Sequence, residues 1–363
     1  MSNSDGAAAR TARNLEASEV GETAMSEISE TYIREQLEKR REELNEVVAI
    51  TPPTVSPAHL LALLTDVDSA LQRLDDGTYG ICTECHETVE RDRLLADPLV
   101  TLCLDHLSSD EQRALERDLE LAARVQRGLL PQTDLSHRDW RFHYQYKPAG
   151  MVSGDYCDLI SPLTEDGDLF FLLGDVAGKG VAASLLMTHL HAMFRSLTSV
   201  GMPLDKLLET ANSVFCRSTI AGQYATLICG RAGSHGEIEI GSAGHLAALA
   251  VGKDGVRQVT STGVPLGMFA SSRYTIHCVR MNPGDSLLLY TDGISEAVNS
   301  SGEEYGAVRL SNIASLKHGW VPQELAAACM KDVQLHAAGQ KQRDDQTLMV
   351  IHRGRSMEVA LDN

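Results

Sequence analysis

Leu169-Phe170-Phe171-Leu172-Leu173-Gly174-Asp175-Val176-Ala177-Gly178-Lys179-Gly180 is the stretch from which the fold of this 363-residue chain can be read. A continuous apolar run this short, rich in Leu and Phe, reads as a buried strand rather than a helix. It ends at a carboxylate and then at glycines that permit a tight turn and close backbone approach. Val181 to Ser199 follows as an amphipathic helix. The order strand, Asp, Gly-rich turn, helix places a negative charge at the open end of a buried strand.

The chain repeats the device. Ser286-Leu287-Leu288-Leu289-Tyr290 ends in Thr291-Asp292-Gly293, and Arg343-Asp344-Asp345-Gln346-Thr347 leads into Leu348-Met349-Val350-Ile351. Ser153-Gly154-Asp155-Tyr156-Cys157-Asp158 sets two more carboxylates beside a strand. One such Asp is ordinarily a solvated turn residue or a helix cap. Several gathered at strand ends repel one another unless cations lie between them. All-oxygen ligation favours magnesium or manganese, and the spacing is too spread for a calcium loop. Gly174 to Gly180 is one residue short of a Walker loop, with Gly180 where Ser or Thr would hold magnesium. Gly241-Ser242-Ala243-Gly244-His245 is not a nucleophile elbow, because Ser242 is not central between glycines.

From Trp140 onward, short strands joined by Gly-containing turns predict mostly antiparallel sheets. They fall at Phe142 to Lys147, Tyr224 to Cys229, Glu237 to Ile240, Leu246 to Val251, Arg273 to Val279, Ser286 to Tyr290 and Thr347 to His352. Helices are expected over Val181 to Thr198, Leu204 to Arg217, Arg309 to Ser315 and Pro322 to His336. The class is α+β.

From about Leu119 to Arg353 the chain resembles the RsbU/SpoIIE-type branch of the metal-dependent (PPM, or 2C-type) serine/threonine protein phosphatases. The matching pieces, in the family's order, are Leu129-Leu130-Pro131, Gly154-Asp155-Tyr156, Gly174 to Ala183, Ala243-Gly244-His245, Pro265-Leu266-Gly267, Tyr290-Thr291-Asp292-Gly293 and Asp344-Asp345-Gln346-Thr347. The resemblance implies an α-β-β-α sandwich with a site for two Mn2+ or Mg2+ ions at one edge of the paired sheets. It implies Asp155 and Asp175 as central ligands, Val176 through its backbone carbonyl, and Asp292 and Asp344 completing the set, with Asp158 and Asp345 as further candidates. Lys179 is either a solvated charge or a phosphate contact, and His245 is read as a structural hydrogen-bonding residue. Ser153 stands where glycine is usual and Cys157 where a second aromatic is common; neither change removes a ligand.

Two cations sharing carboxylates acidify a water and clamp a phosphoryl group, so hydrolysis would proceed in line without a phospho-enzyme. The implied substrate is a phosphoserine or phosphothreonine protein, typically an anti-sigma-factor antagonist of the STAS type. The rival readings are an RNA-polymerase-binding protein with a scaffold phosphatase domain, and a hydrolase of small phosphate esters, which no nucleotide-binding loop supports.

A net charge of −18 argues against direct nucleic-acid binding. No apolar run approaches 18 residues, so no membrane span is expected, and residues 1–30, rich in Ser, Ala, Glu and Gly, are expected to be disordered. The simplest location is the cytoplasm, with the eight cysteines as thiols or metal ligands rather than disulfides.

Residues 31–108 form the next expected segment. Ile33, Leu37, Leu44 and Val47 mark one helix, and Leu60, Leu61, Leu64, Val67, Leu71 and Leu74 a second, together a helical hairpin broken at Thr51-Pro52-Pro53-Thr54. Cys82-Thr83-Glu84-Cys85, then Cys103-Leu104-Asp105-His106 after a 17-residue spacer, supplies four ligands for a tetrahedral zinc ion. Leu71 to Leu107 resembles the DksA/TraR zinc finger at Leu74 to Gly80, Cys82, Cys85, Arg93-Leu94, Ala96, Pro98 and Cys103, with His106 in place of the usual last cysteine. The apparent hairpin tip, Val47 to Thr54, carries no acidic residue, which argues against an RNA-polymerase role and for a structural or sensory one. Residues 109–131 read as a linker helix in which Leu115, Leu119, Ala122, Gln126 and Leu129 follow a heptad spacing, expected to support a homodimer. The phosphatase-like domain then spans 132–354, with a tail at 355–363.

Overall fold

Two units divide the chain, Met1–Glu116 and Arg117–Asn363. The computed structural model describes residues 31–49, 58–90, 93–94, 97–107, 109–162, 164, 167–219, 222–261 and 263–354. The N-terminal segment 1–30, most of the hairpin tip and the tail 355–363 lie outside the described residues.

In the first unit, α1 (31–49) and α2 (Ala58–Asp75) pack Ile33 and Leu37 against Val67, Ala70 and Leu71. These are apolar positions at helical spacing, so the hairpin buries its own stripes. Arg34 closes its base on Asp75 at 2.8 Å. Beyond it, Cys82, Val89, Leu94 and Cys103 form a separate small core. The helix α3 (Ser109–Leu129) runs across the boundary between the units.

The second unit contains β1 (Asp134–His137), β2 (Trp140–Lys147), β3 (Asp155–Ile160) and β4 (Leu169–Val176), then α4 (Gly180–Thr198) and α5 (Leu204–Ser218). Next come β5 (Ala225–Ala232), β6 (Glu237–Ala243), β7 (Ala248–Gly252), β8 (Gly255–Val259), β9 (Ile276–Arg280) and β10 (Ser286–Tyr290). The short turn α6 (Asp292–Ser295), α7 (Ala307–Leu316), α8 (Pro322–Ala337) and β11 (Gln346–Arg353) complete it. One sheet has the order β1-β2-β11-β10-β7-β8 and the other β3-β4-β5-β6-β9. Every named strand pair is antiparallel.

Strand alternation sorts side chains into three layers of core. Phe142, Leu159, Phe171, Leu173, Ile228, Leu287, Leu289, Met349 and Ile351 fill the space between the sheets. Phe170, Leu172 and Tyr156 face the other way, onto Met187, Phe194 and Leu208 of α4 and α5. Leu288, Tyr290, Leu348 and Val350 pack on Leu310, Leu325 and Cys329 of α7 and α8. This is the expected α-β-β-α sandwich. Its central strands are apolar on both faces, which is why β4 reads as one unbroken apolar run.

Two strands escape the sequence reading. β1 and β8 are the edges of their sheet; no residue of β1 is buried and on β8 only Val259 is, so neither carries an apolar run. One position of the heptad stripe on α3, Gln126, is buried, with its side chain on the Ser153 backbone of the second unit.

The same alternation corrects the expectation for Asp158. It lies an odd number of residues from Asp155 on β3, so it points to the helix layer and away from the other aspartates. There Arg195 of α4 grips it with two bonds, 2.9 Å from Nε and 2.7 Å from Nη2, and Tyr156 Oη donates at 3.1 Å. Asp158 is a structural anion, fully buried and fully partnered. Arg195→Met strands that charge and is expected to cost roughly 3 kcal/mol of unfolding free energy, measured by urea denaturation. An Asp158→Asn/Arg195→Met double variant should lose less than the sum of the two single changes.

Candidate active site

Leu169, Phe171 and Leu173 point between the sheets, and the next residue of that series is Asp175. On β3 the inward series that includes Cys157 and Leu159 begins with Asp155. Asp155 and Asp175 are direct partners in the β3–β4 ladder, so two carboxylates meet at one end of the inter-sheet core. On the facing sheet, the inward series of β10 continues to Thr291 and that of β11 begins at Thr347. Thr291 Oγ1 donates to Asp155 Oδ2 at 2.9 Å, and Thr347 Oγ1 donates to the same oxygen. One carboxylate thereby ties the two sheets together.

Asp292 follows Thr291, and Asp344 and Asp345 precede β11, so the loops around the two threonines carry the remaining acids to the same end. Electrostatics records their proximity. Burial, then Asp175, pushes Asp155 well above the usual carboxylate range. Burial, then Asp292, Asp344 and Asp345, raises Asp175 to about 7. Burial, then Asp344, raises Asp292. Each group resists ionisation because desolvation and like charge both oppose it.

Asp345 has a distinct task. Its two oxygens accept the backbone N–H groups of Ala149 (2.7 Å) and Gly154 (2.9 Å), fixing the loop before Asp155. Asp344 accepts Lys179 Nζ at 2.7 Å, and Lys179 also donates to the Arg343 carbonyl at 3.0 Å. Lys179 is therefore paired rather than merely solvated. The Val176 carbonyl oxygen and Asp175 Oδ1 lie 3.2 and 3.3 Å from where a β-carbon on Gly154 would stand, so glycine keeps this approach open. At Gly293 a β-carbon would fall 2.0 Å from the Asp345 carbonyl oxygen, which makes glycine obligatory there.

The support around these acids was less visible in sequence. Gln126 of α3 donates Nε2 to the Ser153 carbonyl at 2.6 Å and accepts the Ser153 N–H at 3.0 Å, a reciprocal clasp two residues from Asp155. His245 bridges the sheets: Nε2 donates to the Tyr290 carbonyl (3.1 Å), leaving Nδ1 to accept Thr226 Oγ1 (2.9 Å). Burial lowers its pKa to about 4, so the ring is neutral. Thr226 is the ladder partner of Asp175, so this imidazole sits directly behind the acids. Cys157 is fully buried in the inter-sheet core with its thiol pKa raised by that burial, which makes it an inert packing residue.

In the first unit, ligand atoms of Cys82, Cys85, Cys103 and His106 all lie within 4.8 Å of one another, as the spacing predicts. Cys85 and Cys103 sulfurs are 3.7 Å apart, and Cys103 Sγ lies 3.2 Å from His106 Nδ1. Tetrahedral zinc with Zn–S bonds of about 2.3 Å sets its sulfurs about 3.8 Å apart, so the donor set fits. The Cys85 backbone N–H, the strongest influence on Cys82, helps lower that thiol to about 6. Among the described residues this is the one group of such ligands that converges so tightly; the aspartates are more splayed, with Asp344 turned onto Lys179. All eight cysteines are free thiols.

Known proteins match both units. The profile described as prokaryotic dksA/traR C4-type zinc finger matches residues 77–105, ending just before His106. Protein IcfG of Synechocystis sp. is 26% identical over 265 residues, covering 65% of this chain and 41% of that protein. Phosphoserine phosphatase RsbU of Bacillus subtilis is 24% identical over 194 residues, 53% of this chain and 57% of that one. The chain thus spans about half the length of these relatives. Among solved structures, the SiaA-PP2C domain of Pseudomonas aeruginosa shares the fold with a TM-score of 0.58 at 21% identity, over 67% of this chain and 98% of that domain. The profile described as Stage II sporulation protein E (SpoIIE) matches residues 165–354, just over half of the sequence and including Asp175, Asp292 and Asp344. With its sandwich and its acids at the strand ends accounted for, the chain belongs to the SpoIIE family.

Proposed function

We propose that this chain is a metal-dependent protein serine/threonine phosphatase acting on a phosphorylated regulatory protein, an anti-sigma-factor antagonist of the STAS type. The observation that carries the reading is the gathering of Asp155, Asp175, Asp292 and Asp344 at the ends of strands from both sheets. Their all-oxygen, anionic donor set fits two Mn2+ or Mg2+ ions, with the Val176 carbonyl as a further ligand. Such ions, when bound, polarise phosphoryl oxygens and acidify a water. The chain's own residues position the parts. Thr291 and Thr347 orient Asp155, Asp345 holds the Ala149–Gly154 loop, and Lys179 keeps a cation beside Asp344.

We take 132–354 as the phosphatase domain and 31–108 as a regulatory module held by one structural zinc on Cys82, Cys85, Cys103 and His106. We assign the protein to the cytoplasm, with no nucleic-acid or membrane partner. Among the described residues no helix is long and apolar enough to cross a membrane. A homodimer through the linker helix would use Leu121 and Val125 of α3, one turn apart and 52% and 55% exposed.

Manganese-dependent phosphate release from a phosphoserine STAS protein should be present in the wild type and fall by at least about a hundredfold in Asp175→Asn. A folded, metal-loaded wild type without activity would refute the reading. Without divalent cations, the raised Asp175 pKa has a definite sign. The folded state holds a proton that the unfolded state releases near the ordinary carboxylate range, so this group's stabilisation is lost as pH rises through about 7. Asp175→Asn should therefore melt higher than wild type at pH 8 in a chelator and nearly level with it at pH 4. For the finger, elemental analysis of Cys82→Ser should show zinc well below one per chain. If folding, self-association and turnover then all stay unchanged, the module has no regulatory role.

A further inference from the structure

A cleft of about 450 Å³, within the range of small-ligand sites, opens beside the aspartates and includes Lys179, Asp344 and Gln346 in its lining. One side is made by the end of β2 and the loop between α8 and β11. There Lys147, Lys341 and Arg343 are exposed, and none of the three side chains has a hydrogen-bond or ion-pair partner among the described residues. Lys179, by contrast, is already engaged with Asp344.

The loop bearing these cations is held in place rather than free. Gln342 Nε2 donates to both the Lys147 and Asp344 carbonyls at 2.8 Å, stitching the loop to the end of β2. Upstream, α8 stops at Ala338 in the left-handed conformation (φ 45°), and Gly339 (φ 83°) turns the chain towards Lys341. The rest of the lining contributes Glu296 and Glu304, so the cleft is electrically lopsided.

We propose that this cleft binds the polypeptide flanking the phosphorylated residue and selects substrates with acidic side chains there, through Lys147, Lys341 and Arg343. The inference rests on the phosphatase reading. A phosphoryl group at the aspartates puts its neighbouring residues along the cleft, because Asp344 and its partner Lys179 belong to both. On a chain of net charge −18, an anionic protein meets general repulsion. Unpaired cations confined to one side of the cleft reverse that repulsion locally and fix the direction of the bound segment.

The test compares three phosphoserine peptides of equal length, flanked by Asp/Glu, by Ser/Ala or by Lys, together with p-nitrophenyl phosphate. The wild type should favour the acidic peptide over the Lys-flanked one by on the order of tenfold in kcat/KM, a preference that fades between about 0.1 and 0.5 M salt. Lys147→Gln/Lys341→Gln should lose the preference through KM, with kcat and p-nitrophenyl phosphate turnover unchanged. A wild type that treats the peptides alike, or a double variant that keeps the preference, overturns the proposal. If the manganese-loaded wild type fails even on p-nitrophenyl phosphate, the phosphatase reading falls. Fluorescence-anisotropy binding of the same peptides to Asp175→Asn then decides the cleft separately: tighter binding of the acidic peptide supports it, and equal binding sinks it.

Discussion

Asp155 and Asp175 face each other across one rung of an antiparallel ladder, at the mouth of an apolar core that does not solvate them. Burial and mutual repulsion disfavour their ionised forms, so the surrounding structure must hold them together against that opposition. The apolar layer between the sheets provides the force. Trp140, Phe142, Phe171 and Leu173 are essentially inaccessible, and moving the acids apart would require sliding one packed strand past another. Strand alternation does the aiming, because a shift of one residue in either strand would turn its carboxylate out of the inter-sheet space.

Around this pair the polar groups act as spacers of fixed length. Thr291 and Thr347 reach across from the second sheet to one oxygen of Asp155. His245, neutral and buried, spans the same gap from Thr226 to Tyr290. Asp345 and Gln126 hold successive residues, Gly154 and Ser153, of the segment entering β3. Such outer contacts fix the orientation of the carboxylates more tightly than strand geometry alone. They also give α3 a direct grip on the backbone two residues from Asp155.

The zinc-finger unit answers a different problem. Its cysteine-bearing core holds four buried side chains, Cys82, Val89, Leu94 and Cys103, two of which belong to the Cys3His cluster. A core that small supplies little burial, and the Cys3His set supplies the missing constraint when it holds metal. The substitution of His106 for the last cysteine preserves the geometry, since its Nδ1 reaches the same cluster.

Much of this was written in the chain itself. The apolar run at 169–173, the acids ending strands and the cysteine spacing determine the sandwich, the acidic site and the finger, because strand parity and ligand count are local properties of sequence. Asp158 and Gln126 show where locality fails. Asp158 sits three residues from Asp155 in the same motif, yet the pleat turns it to Arg195, whose place is set by the packing of α4. Gln126 fits a heptad on paper, but the fold presents the backbone of Ser153, in the segment entering β3, to it first. The edge strands β1 and β8 were equally silent, since their order comes from a neighbouring strand and not from their own apolar pattern. Sequence alone determined which groups carry charge, offer ligand atoms or fill core. Only the tertiary structure decided which of them meet, because a buried carboxylate or carboxamide takes the partner that packing brings within reach.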